Sequence, residues 1–371
     1  MKIFLSSASF LPSYGGPAYS ISRLATALEE TGAIVGLWSP DQSAATTPLI
    51  DSLSNLARLT GSLDDALRRF GDPDLIHDNG IWLRHNHRLA RIAIERGICR
   101  VVSTRGMLEP WAMNHKRLKK KIAWKTYQRA DLRVADAHHC TSTTEAANVK
   151  RLGLGVVVRV ISNGVDLPTP DADFAHRPRI KPRKRTALFI GRLYPIKGLP
   201  MLIDAWSRVN PDGWNLVIAG PDEAGHRSEL ERRVRELGLR KTISFAGAVE
   251  GETKTALLRN AELFVLPTYS ESFGMAIAEA LAYSLPVVTT TGAPWPQLTE
   301  RACGWRVQPS VDAVADALRS ATSIDRATLT GMGERGRVIV SELQWDRIAA
   351  EFMELYQSLT HSRSGGAGTS R

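Results

Sequence analysis

Two glutamates stand where a strand-like segment passes into a helix-like one. Glu271 and Glu279 lie eight positions apart in an otherwise apolar, alanine-rich stretch, ESFGMAIAEALAYS. Charged side chains are rarely buried unless they are paired or bind a ligand, so both carboxylates need an explanation. They could accept hydrogen bonds from ligand hydroxyl groups. Taken alone, they are equally well explained as a charge near a helix start and a solvated helix residue.

The elements around this pair place the two carboxylates differently. LFVLPTYS has the pattern of a strand and GMAIAEALAYS that of a helix, so residues 271–274 form the connecting turn. Glu271 is then a loop residue, and Glu279 lies about a turn and a half into the helix. The first backbone amides of a helix have no partner within it and favour anions, phosphate above all.

Two cations follow another predicted strand. The segment FIGRLYPIKGL, Phe189 to Leu199, places Arg192 and Lys197 in a loop that contains glycine and proline. Two such cations could clamp a diphosphate and stabilise it as it leaves. A pair of unrelated surface cations is the alternative, and it becomes less attractive beside the two glutamates.

The bulk composition is that of a globular protein. The 371 residues suffice for two domains, and the net charge of +10 attracts anionic partners. The three cysteines show neither metal nor disulfide spacing, which indicates a reducing compartment. The N-terminus does not resemble a signal peptide, and no apolar run is long enough to cross a bilayer. We therefore expect a cytoplasmic protein. Nucleic acid is not expected as a partner, because no recognition module is present.

Strand-like and helix-like segments alternate twice along the chain, which predicts two α/β domains with doubly wound parallel sheets. The first domain would span residues 1–168, a linker rich in proline and charge residues 169–185, and the second domain residues 186–345. An amphipathic helix follows, and residues 361–371 read as a flexible tail. Two such domains would face each other across a central cleft at the carboxyl ends of their strands.

Several motifs, taken in order, resemble one enzyme family. They are GRLYPIKGL (191–199), ESFGMAIAEA (271–280), SNGVDL (162–167), FAGAV (245–249) and SYGGPAYS (13–20). Together they are similar to the retaining GT-B glycosyltransferases of family 4, from Met1 to about Leu359. STRGMLEPWAMNHKRLKKKIAW (103–124) resembles a subgroup that builds bacterial surface polysaccharides. The resemblance also implies that a crossing helix, about residues 346–360, returns to complete the first domain.

The resemblance implies roles for individual residues on the donor side. Glu271 would contact the donor sugar and Glu279 the nucleotide ribose, while Arg192 and Lys197 would bind the diphosphate. The sugar and phosphates would be held by backbone groups from Ser272, Phe273, Gly274 and Met275. Val249 would lie beside the base, and Gly15 and Gly16 would let the first-domain loop approach the phosphates closely.

A histidine is implied near the reacting sugar. His77 matches the family's active-site histidine at a strand end, where relatives often read H-x-H-G; this chain has His77-Asp78-Asn79-Gly80. Asn79 thus replaces the second histidine. A lone histidine at a strand end is otherwise more often structural. On the acceptor side we expect Arg105, Glu109 and Trp111.

The implied activity is transfer of a hexose, with retention, from a nucleotide-diphosphate sugar. GDP-mannose is the preferred donor, with UDP-sugars next. A front-face reaction without cofactor or metal is expected, because no nucleophile stands out and the cations and helix start can stabilise the leaving diphosphate. The aspartate pairs at 72/74 and 171/173 are interpreted as structural. Alternatives are a soluble small acceptor, a silent nucleotide-sugar-binding protein and, less well matched, a GT-B sugar epimerase.

The acceptor is expected to be membrane-associated, a glycolipid or lipid-linked saccharide of lipopolysaccharide core or exopolysaccharide synthesis. Residues 112–133 contain eight Lys or Arg and one acidic residue, with tryptophan and tyrosine interleaved. A basic helix flanked by aromatic residues suits an anionic membrane surface, and Lys116 to Arg133 would make that contact. A solvated helix face explains the same charges nearly as well.

Overall fold

The structure is a computed structural model that describes residues 1–51, 53–168 and 184–366. It divides into two compact units. The first combines Met1–Gly164 with the chain from Trp345 onward, and the second spans Val165–Gln344. The predicted linker lies outside the described residues except at its end, where Arg185 already begins a strand. Each unit is built on its own parallel sheet with helices.

The sheet of the first unit has seven parallel strands in the order β3-β2-β1-β4-β5-β6-β7. The strand order reverses direction between β1 and β4, the place where doubly wound sheets open a crevice at their carboxyl edge. The short β3 was not predicted. The strands are β1 Lys2–Ser7, β2 Ile34–Trp38, β3 Ala57–Arg58, β4 Leu75–Asn79, β5 Cys99–Ser103, β6 Ala137–Cys140 and β7 Val157–Val160.

Helices connect these strands and cover the sheet. In α1, Ile21, Leu24, Ala25 and Leu28 recur at helical spacing and are buried, so one face packs inward. The helices are α1 Gly16–Glu30, α2 Leu63–Phe70, α3 Arg84–Arg96, α4 Pro110–Asn114, α5 Arg117–Ala123, α6 Arg129–Arg133 and α7 Thr143–Arg151, with a π-helical turn at Trp124–Gln128.

A C-terminal helix, α15 Trp345–Gly366, belongs to the first unit. It packs along α1 and β5 and buries Phe352 and Tyr356. The helix runs past residue 360, so the tail predicted from residue 361 is helical as far as Gly366. Gly164 carries no side chain because the Trp345 ring occupies the space where a Cβ would lie. The glycine of the SNGVDL motif is thus a packing requirement of α15.

The second unit has a six-stranded parallel sheet in the order β10-β9-β8-β11-β12-β13. Its order reverses between β8 and β11, so the loops after these two strands flank the expected crevice. The strands are β8 Arg185–Ile190, β9 Trp214–Ala219, β10 Ile243–Gly247, β11 Leu263–Leu266, β12 Val287–Thr290 and β13 Gly304–Val307, of which β13 was not predicted.

The helices of the second unit enclose a single large hydrophobic cluster. Alanines at 278, 280 and 282 are fully buried, which lets their helix approach β11 and β12 closely and explains its unusual composition. The helices are α8 Leu199–Val209, α9 His226–Glu236, α10 Gly251–Asn260, α11 Met275–Ala282, α12 Gln297–Glu300, α13 Val311–Ser323 and α14 Arg326–Ser341.

Candidate functional site

The loops after β8 and β11 are joined at the carboxyl edge of the second sheet. Tyr269 donates its backbone N–H to the Ile196 carbonyl at 2.8 Å, and the Thr268 hydroxyl donates to the same oxygen at 3.1 Å. At Gly198, which has φ 70°, a Cβ would overlap the Pro267 carbonyl oxygen. Glycine is therefore needed where the two loops approach each other. These contacts fix the geometry of the side chains that the loops carry.

Lys197 and Glu271 form an ion pair across these loops, Nζ to Oε1. Their side chains are 16% and 13% exposed, so the pair is largely shielded from water. The backbone N–H of Glu271 donates to the Gly292 carbonyl at 2.9 Å, which holds the turn in place. The structure thus brings together two residues that the sequence placed 74 positions apart. Separated from each other, the ammonium could bind a phosphate and the carboxylate could accept hydrogen bonds from hydroxyl groups.

Glu279 is also paired. Its Oε2 lies 2.7 Å from Nζ of Lys254, which projects from α10. Sequence reasoning missed Lys254, because two residues on different helices give no periodic signal of their contact. A carboxylate held at one oxygen keeps its other oxygen as an acceptor, so Lys254 orients Glu279 without occupying it fully.

Arg192 lies in the same loop as Lys197 but is more open to solvent. Its Nη1 donates to Glu223 Oε2 at 2.5 Å, and the two side chains are 42% and 40% exposed. Exposed pairs of this kind contribute little to stability, so Arg192 can exchange Glu223 for a ligand at small cost. Glu223 follows β9 and was not predicted.

The turn that begins α11 is anchored by its apolar members. Phe273 is buried and packs on the Trp295 ring with centroids 5.3 Å apart. The indole N–H of Trp295 donates to the Phe273 carbonyl at 2.5 Å. Gly274 has φ 89°, and α11 starts at the next residue, Met275. Ser272 is half-buried between Glu271 and Phe273. The helix start therefore faces the same edge of the sheet as the Lys197–Glu271 pair.

Val249 and the Gly15–Gly16 pair lie in different units. Val249 follows β10 and packs, partly buried, against the core of the second unit. Gly15, with φ 81°, precedes α1, and Gly16 is the first residue of that helix in the first unit. Their roles toward a nucleotide or phosphates stay predictions.

His77 does not sit at a surface. It is fully buried in β4, and both ring nitrogens are engaged. Nε2 lies 2.6 Å from the Ser103 hydroxyl, and Nδ1 lies 2.6 Å from the Tyr356 hydroxyl of α15. The role near the donor sugar and acceptor that the resemblance implies for His77 stays a prediction. The side chain of His77 joins α15 to the sheet.

The hydrogen bonds around His77 have a defined direction. His139 Nε2 donates to the Ile161 carbonyl at 2.8 Å, so its Nδ1 accepts from the Ser103 hydroxyl at 2.6 Å. Ser103 then accepts from His77 Nε2–H, and Tyr356 donates to His77 Nδ1. Burial, followed by the charges of His139 and Arg105, holds the pKa of His77 well below its usual value. Burial and then Arg105 lower the pKa of His139 to about 3. Both rings are therefore neutral at physiological pH.

Arg105 lies beside the end of β4. Nε and Nη2 donate to Asn79 Oδ1 at 3.2 and 2.7 Å, and Nη1 donates to Asn163 Oδ1 at 3.1 Å. A longer contact of 3.5 Å reaches the Ser20 hydroxyl of α1. Asn79 thus orients Arg105. Burial lowers the pKa of Arg105 to about 10, so the guanidinium remains charged at neutral pH.

Glu109 and Trp111 occupy different environments on the loop after β5. Glu109 is buried and accepts a hydrogen bond from the Asn148 amide. Burial, and then the charge of Glu145, raise the pKa of Glu109 to about 7. Trp111 is exposed and stacks on His115 with centroids 6.1 Å apart. The structure does not bring these two side chains to Arg105.

Two buried carboxylates near this loop were missed from the sequence. Glu145 accepts from the Thr104 hydroxyl and the Gly106 N–H at 2.7 and 2.6 Å, which fixes the loop that carries Arg105. Asp78 pairs with the buried Arg100 at 2.7 Å. Both carboxylates are satisfied within the fold, so they serve structure.

The basic segment is broken rather than one helix. Lys116 has φ 53° and separates α4 from α5. Leu118 and Ile122, on the same face of α5, are 77% and 65% exposed. Lys120 turns inward: its Nζ donates to the Ala112 carbonyl at 2.5 Å and lies 5.5 Å from the Trp82 ring centroid. The exposed surface therefore comprises apolar and basic side chains together.

In the described parts of the chain, no three His, Cys, Asp or Glu side chains lie close enough together to bind a metal ion. Asp72 pairs with Arg96, and Asp74 accepts from the Lys2 backbone N–H at 2.7 Å. The 171/173 pair lies outside the described residues. Metal independence stays a prediction. Within the same described ranges, no helix has the length and apolarity that a membrane crossing requires.

Two families match successive parts of the chain. Residues 14–168 match the family described as Glycosyltransferase Family 4, and residues 172–338 match Glycosyl transferases group 1. A GDP-mannose:cellobiosyl-diphosphopolyprenol alpha-mannosyltransferase from Komagataeibacter xylinus is 26% identical over 79% of this chain and 73% of its own length. Some curated relatives match over shorter stretches, and for one of them the alignment spans about half of its length, 54%.

Solved structures agree on the fold. A sucrose-phosphate synthase from Thermosynechococcus elongatus matches with a TM-score of 0.79 and 21% identity, covering 98% of this chain and 100% of that chain. HepE from Anabaena, solved in complex with UDP and glucose, matches with a TM-score of 0.73 and 20% identity over 96% and 100%. With its two parallel-sheet units and the two family matches in series, the chain belongs to the GT-B glycosyltransferases of the family 4 and group 1 type.

Proposed function

We propose that the protein is a retaining glycosyltransferase that moves a hexose from a nucleotide-diphosphate sugar to a membrane-associated saccharide. The observation that carries the proposal is the Lys197–Glu271 pair between the loops after β8 and β11, next to the start of α11. A cation for the phosphates, a carboxylate for the sugar and a helix start lie together at the reversal point of the second sheet, where such folds bind nucleotides.

The chemistry assigned to these residues is electrostatic. When the donor binds, Lys197 leaves Glu271 for the diphosphate, and Glu271 becomes free to accept hydrogen bonds from the sugar. Arg192 exchanges Glu223 for the same diphosphate. The cations and the helix amides stabilise the negative charge that develops on the leaving diphosphate oxygen. That oxygen takes the proton of the acceptor hydroxyl, which attacks the sugar from the same face that the diphosphate leaves. We propose that this proceeds without a metal ion or cofactor.

GDP-mannose is the donor we propose, with UDP-sugars as the next class. The Komagataeibacter relative is named for GDP-mannose, and the Anabaena structure contains UDP and glucose. Glu279, oriented by Lys254, would accept from the ribose of either nucleotide. The base is therefore the feature that separates the two classes, and we propose that Val249 lies beside it.

A thermal-shift panel of GDP, UDP, ADP and their common sugar conjugates tests the donor. A ligand in excess over its dissociation constant raises the melting temperature by mass action. We expect GDP and GDP-mannose to raise it most. A shift with UDP compounds alone would move the proposal to UDP-sugars, and a flat response across the panel would contradict nucleotide-sugar transfer.

The acceptor we propose is a glycolipid or lipid-linked saccharide of lipopolysaccharide core or exopolysaccharide synthesis, met at the cytoplasmic membrane face. The supporting feature is the α5 surface, where exposed Leu118 and Ile122 lie among the exposed lysines Lys119, Lys121 and Lys125. Apolar side chains that enter the interface and cations that attract anionic lipid are the two requirements for peripheral binding.

Sedimentation with anionic liposomes tests this surface. Changing Lys119, Lys121 and Lys125 to Glu should abolish co-sedimentation, since each cation near the surface contributes about 1 kcal/mol. Lys120 is left intact because it packs on Trp82. The control carries the same charge change elsewhere, at the exposed Arg235, Arg240 and Lys241. Equal loss in both variants, or no binding by the wild type, would favour a soluble acceptor.

A further inference from the structure

Arg105 differs from two other shielded arginines of this protein, Arg100 and Arg185, in the partners of its guanidinium. Arg100 is buried and pairs with Asp78 at 2.7 Å, and the shielded Arg185 pairs with Glu262 at 2.9 Å. Arg105 is half-buried, yet its partners within the described residues are two amide oxygens and a hydroxyl. A guanidinium removed from water normally has a carboxylate or another anion beside it. The positive charge of Arg105 is therefore stabilised less completely than those of Arg100 and Arg185.

The groups beneath Arg105 are also neutral. His77, His139 and Tyr356 form one hydrogen-bonded chain, and burial keeps both imidazoles uncharged and the phenol protonated. Glu145 contributes a field at longer range, but its carboxylate is used by the Thr104 hydroxyl, the Gly106 N–H and the N–H and hydroxyl of Thr141. The described part of the chain thus orients Arg105 without placing a carboxylate in contact with it.

The guanidinium also retains donor capacity. It has five N–H groups, and within the described ranges its four contacts reach Asn79, Asn163 and Ser20. Nη2 donates to Asn79 alone, so its second N–H is available. The partners come from the ends of β4 and β7 and from α1, which places Arg105 at the carboxyl edge of the first sheet. That edge is the ligand-binding side of a doubly wound sheet.

We propose that Arg105 binds a phosphate oxyanion of a substrate, with Asn79 and Asn163 holding the guanidinium in place. The proposal rests on the glycosyltransferase function above, in which the donor carries a diphosphate and a lipid-linked acceptor carries phosphate as well. The second N–H of Nη2 donates to such an anion, and Nη1 can exchange its long 3.5 Å contact with Ser20 for a second hydrogen bond. The bound anion supplies a counter-charge. Asn79 is then a positioning residue that replaces the second histidine of relatives.

Two affinities, measured for wild type and Arg105→Gln, test the proposal and identify the source of the phosphate. The first is the affinity for GDP or UDP, whichever stabilises the wild type, by calorimetry. The second is the affinity for inorganic phosphate in protein saturated with that nucleotide, followed by phosphorus NMR. If Arg105→Gln binds inorganic phosphate tenfold more weakly and the nucleotide with unchanged affinity, Arg105 is assigned to an acceptor phosphate. A tenfold weakening of the nucleotide assigns it to the donor diphosphate.

Controls separate a lost anion contact from a lost fold. Arg88→Gln removes an exposed arginine of the same unit, which pairs with Asp64, and should leave both affinities unchanged. Arg105→Lys keeps the charge without the planar fork and should bind better than Arg105→Gln. Wild-type values for both ligands in Arg105→Gln would overturn the proposal. A wild type that binds no nucleotide would instead contradict the proposed function, and phosphate titration of the free protein would then still test Arg105.

Discussion

The ammonium of Lys197 and the carboxylate of Glu271 neutralise each other across the reversal point of the second sheet. Each is the partner that the other would have to leave in order to bind a substrate. A diphosphate offers the ammonium more negative charge than one carboxylate, and sugar hydroxyls replace the ammonium at Glu271. The pair therefore holds both side chains in place before the donor arrives.

This relationship gives substitutions at the two positions opposite effects on nucleotide affinity. Lys197→Gln should weaken binding of the nucleoside diphosphate about tenfold, because a charge-assisted contact is lost. Glu271→Gln should leave that affinity unchanged or raise it, because Lys197 no longer has a competing carboxylate. Both variants should lose at least about 100-fold in transfer. Calorimetry and a transfer assay measure the two effects.

The exposed Lys241 provides the matched control, since Lys241→Gln removes a cation of the same unit that is distant in sequence from both loops. Near wild-type transfer by either Lys197→Gln or Glu271→Gln would remove the proposed site. Weaker nucleotide binding in Glu271→Gln would contradict the competition between the carboxylate and the diphosphate.

Lys254 should act on the nucleotide through Glu279. Lys254→Met removes the partner 2.7 Å from the carboxylate, so Glu279 loses its orientation but keeps its charge. We expect the KM for the nucleotide sugar to rise several-fold with kcat little changed, as for a contact made equally in ground and transition states. Steady-state kinetics measure the split.

Deoxyribonucleotides test the same contact directly. The wild type should prefer a ribonucleoside diphosphate over its 2′-deoxy form, and Glu279→Gln should reduce that preference about tenfold. Lys254→Met should reduce it less, because the acceptor oxygen is still present. An unchanged preference in Glu279→Gln would show that Glu279 does not recognise the ribose.

Stability should depend on pH through Glu109. The pKa of its carboxyl rises from 4.5 to about 7 on folding, because burial and the charge of Glu145 disfavour ionisation more than Asn148 and Arg151 favour it. The folded chain then binds the proton more tightly than the unfolded chain. The resulting contribution to the free energy of unfolding is fully present below pH 4.5 and is lost as the pH rises to about 7. Over that pH window the wild type should lose on the order of 2 kcal/mol in the free energy of unfolding through Glu109, and Glu109→Gln should not show this loss.

Chemical denaturation at several pH values between 4 and 8 measures this difference. Glu95→Gln, at an exposed glutamate of α3, is the control and should follow the wild type at every pH. A Glu109→Gln variant whose unfolding free energy parallels the wild type across the window would show that Glu109 titrates normally.

Tyr356 and His77 should behave as one structural unit. Tyr356→Phe leaves the buried Nδ1 of His77 without a donor, which should cost about 1–3 kcal/mol in the free energy of unfolding. His77→Gln should destabilise by a similar amount, and both variants should keep transfer within about tenfold of the wild type. Urea unfolding reports on the first quantity, with the exposed Tyr269→Phe as its stability control, and the transfer assay reports on the second. A stable but inactive His77→Gln would instead restore the direct catalytic role.

The local sequence was sufficient for the two α/β units and for the position of the central glutamates. Strand-like and helix-like periodicities alternate twice, and the ESFG turn before an apolar helix puts Glu271 in a loop and Glu279 inside α11. Periodicity and turn residues encode these features because they act over a few residues. The same patterns did not reveal the short strand β3 or the continuation of α15 past residue 360.

The partners of those residues depended on contacts between distant segments. His77 meets Tyr356 from 279 positions away, a contact that the expectation of a histidine at a strand end did not include. Lys254 meets Glu279 from another helix, and Asn163 reaches Arg105 from the end of another strand. No local pattern records such pairs, because they form only when helices and strands pack. Periodicity therefore indicates which residues reach the carboxyl edges of the sheets. Packing determines which charges are paired there and which, like Arg105, contact neutral partners within the described residues.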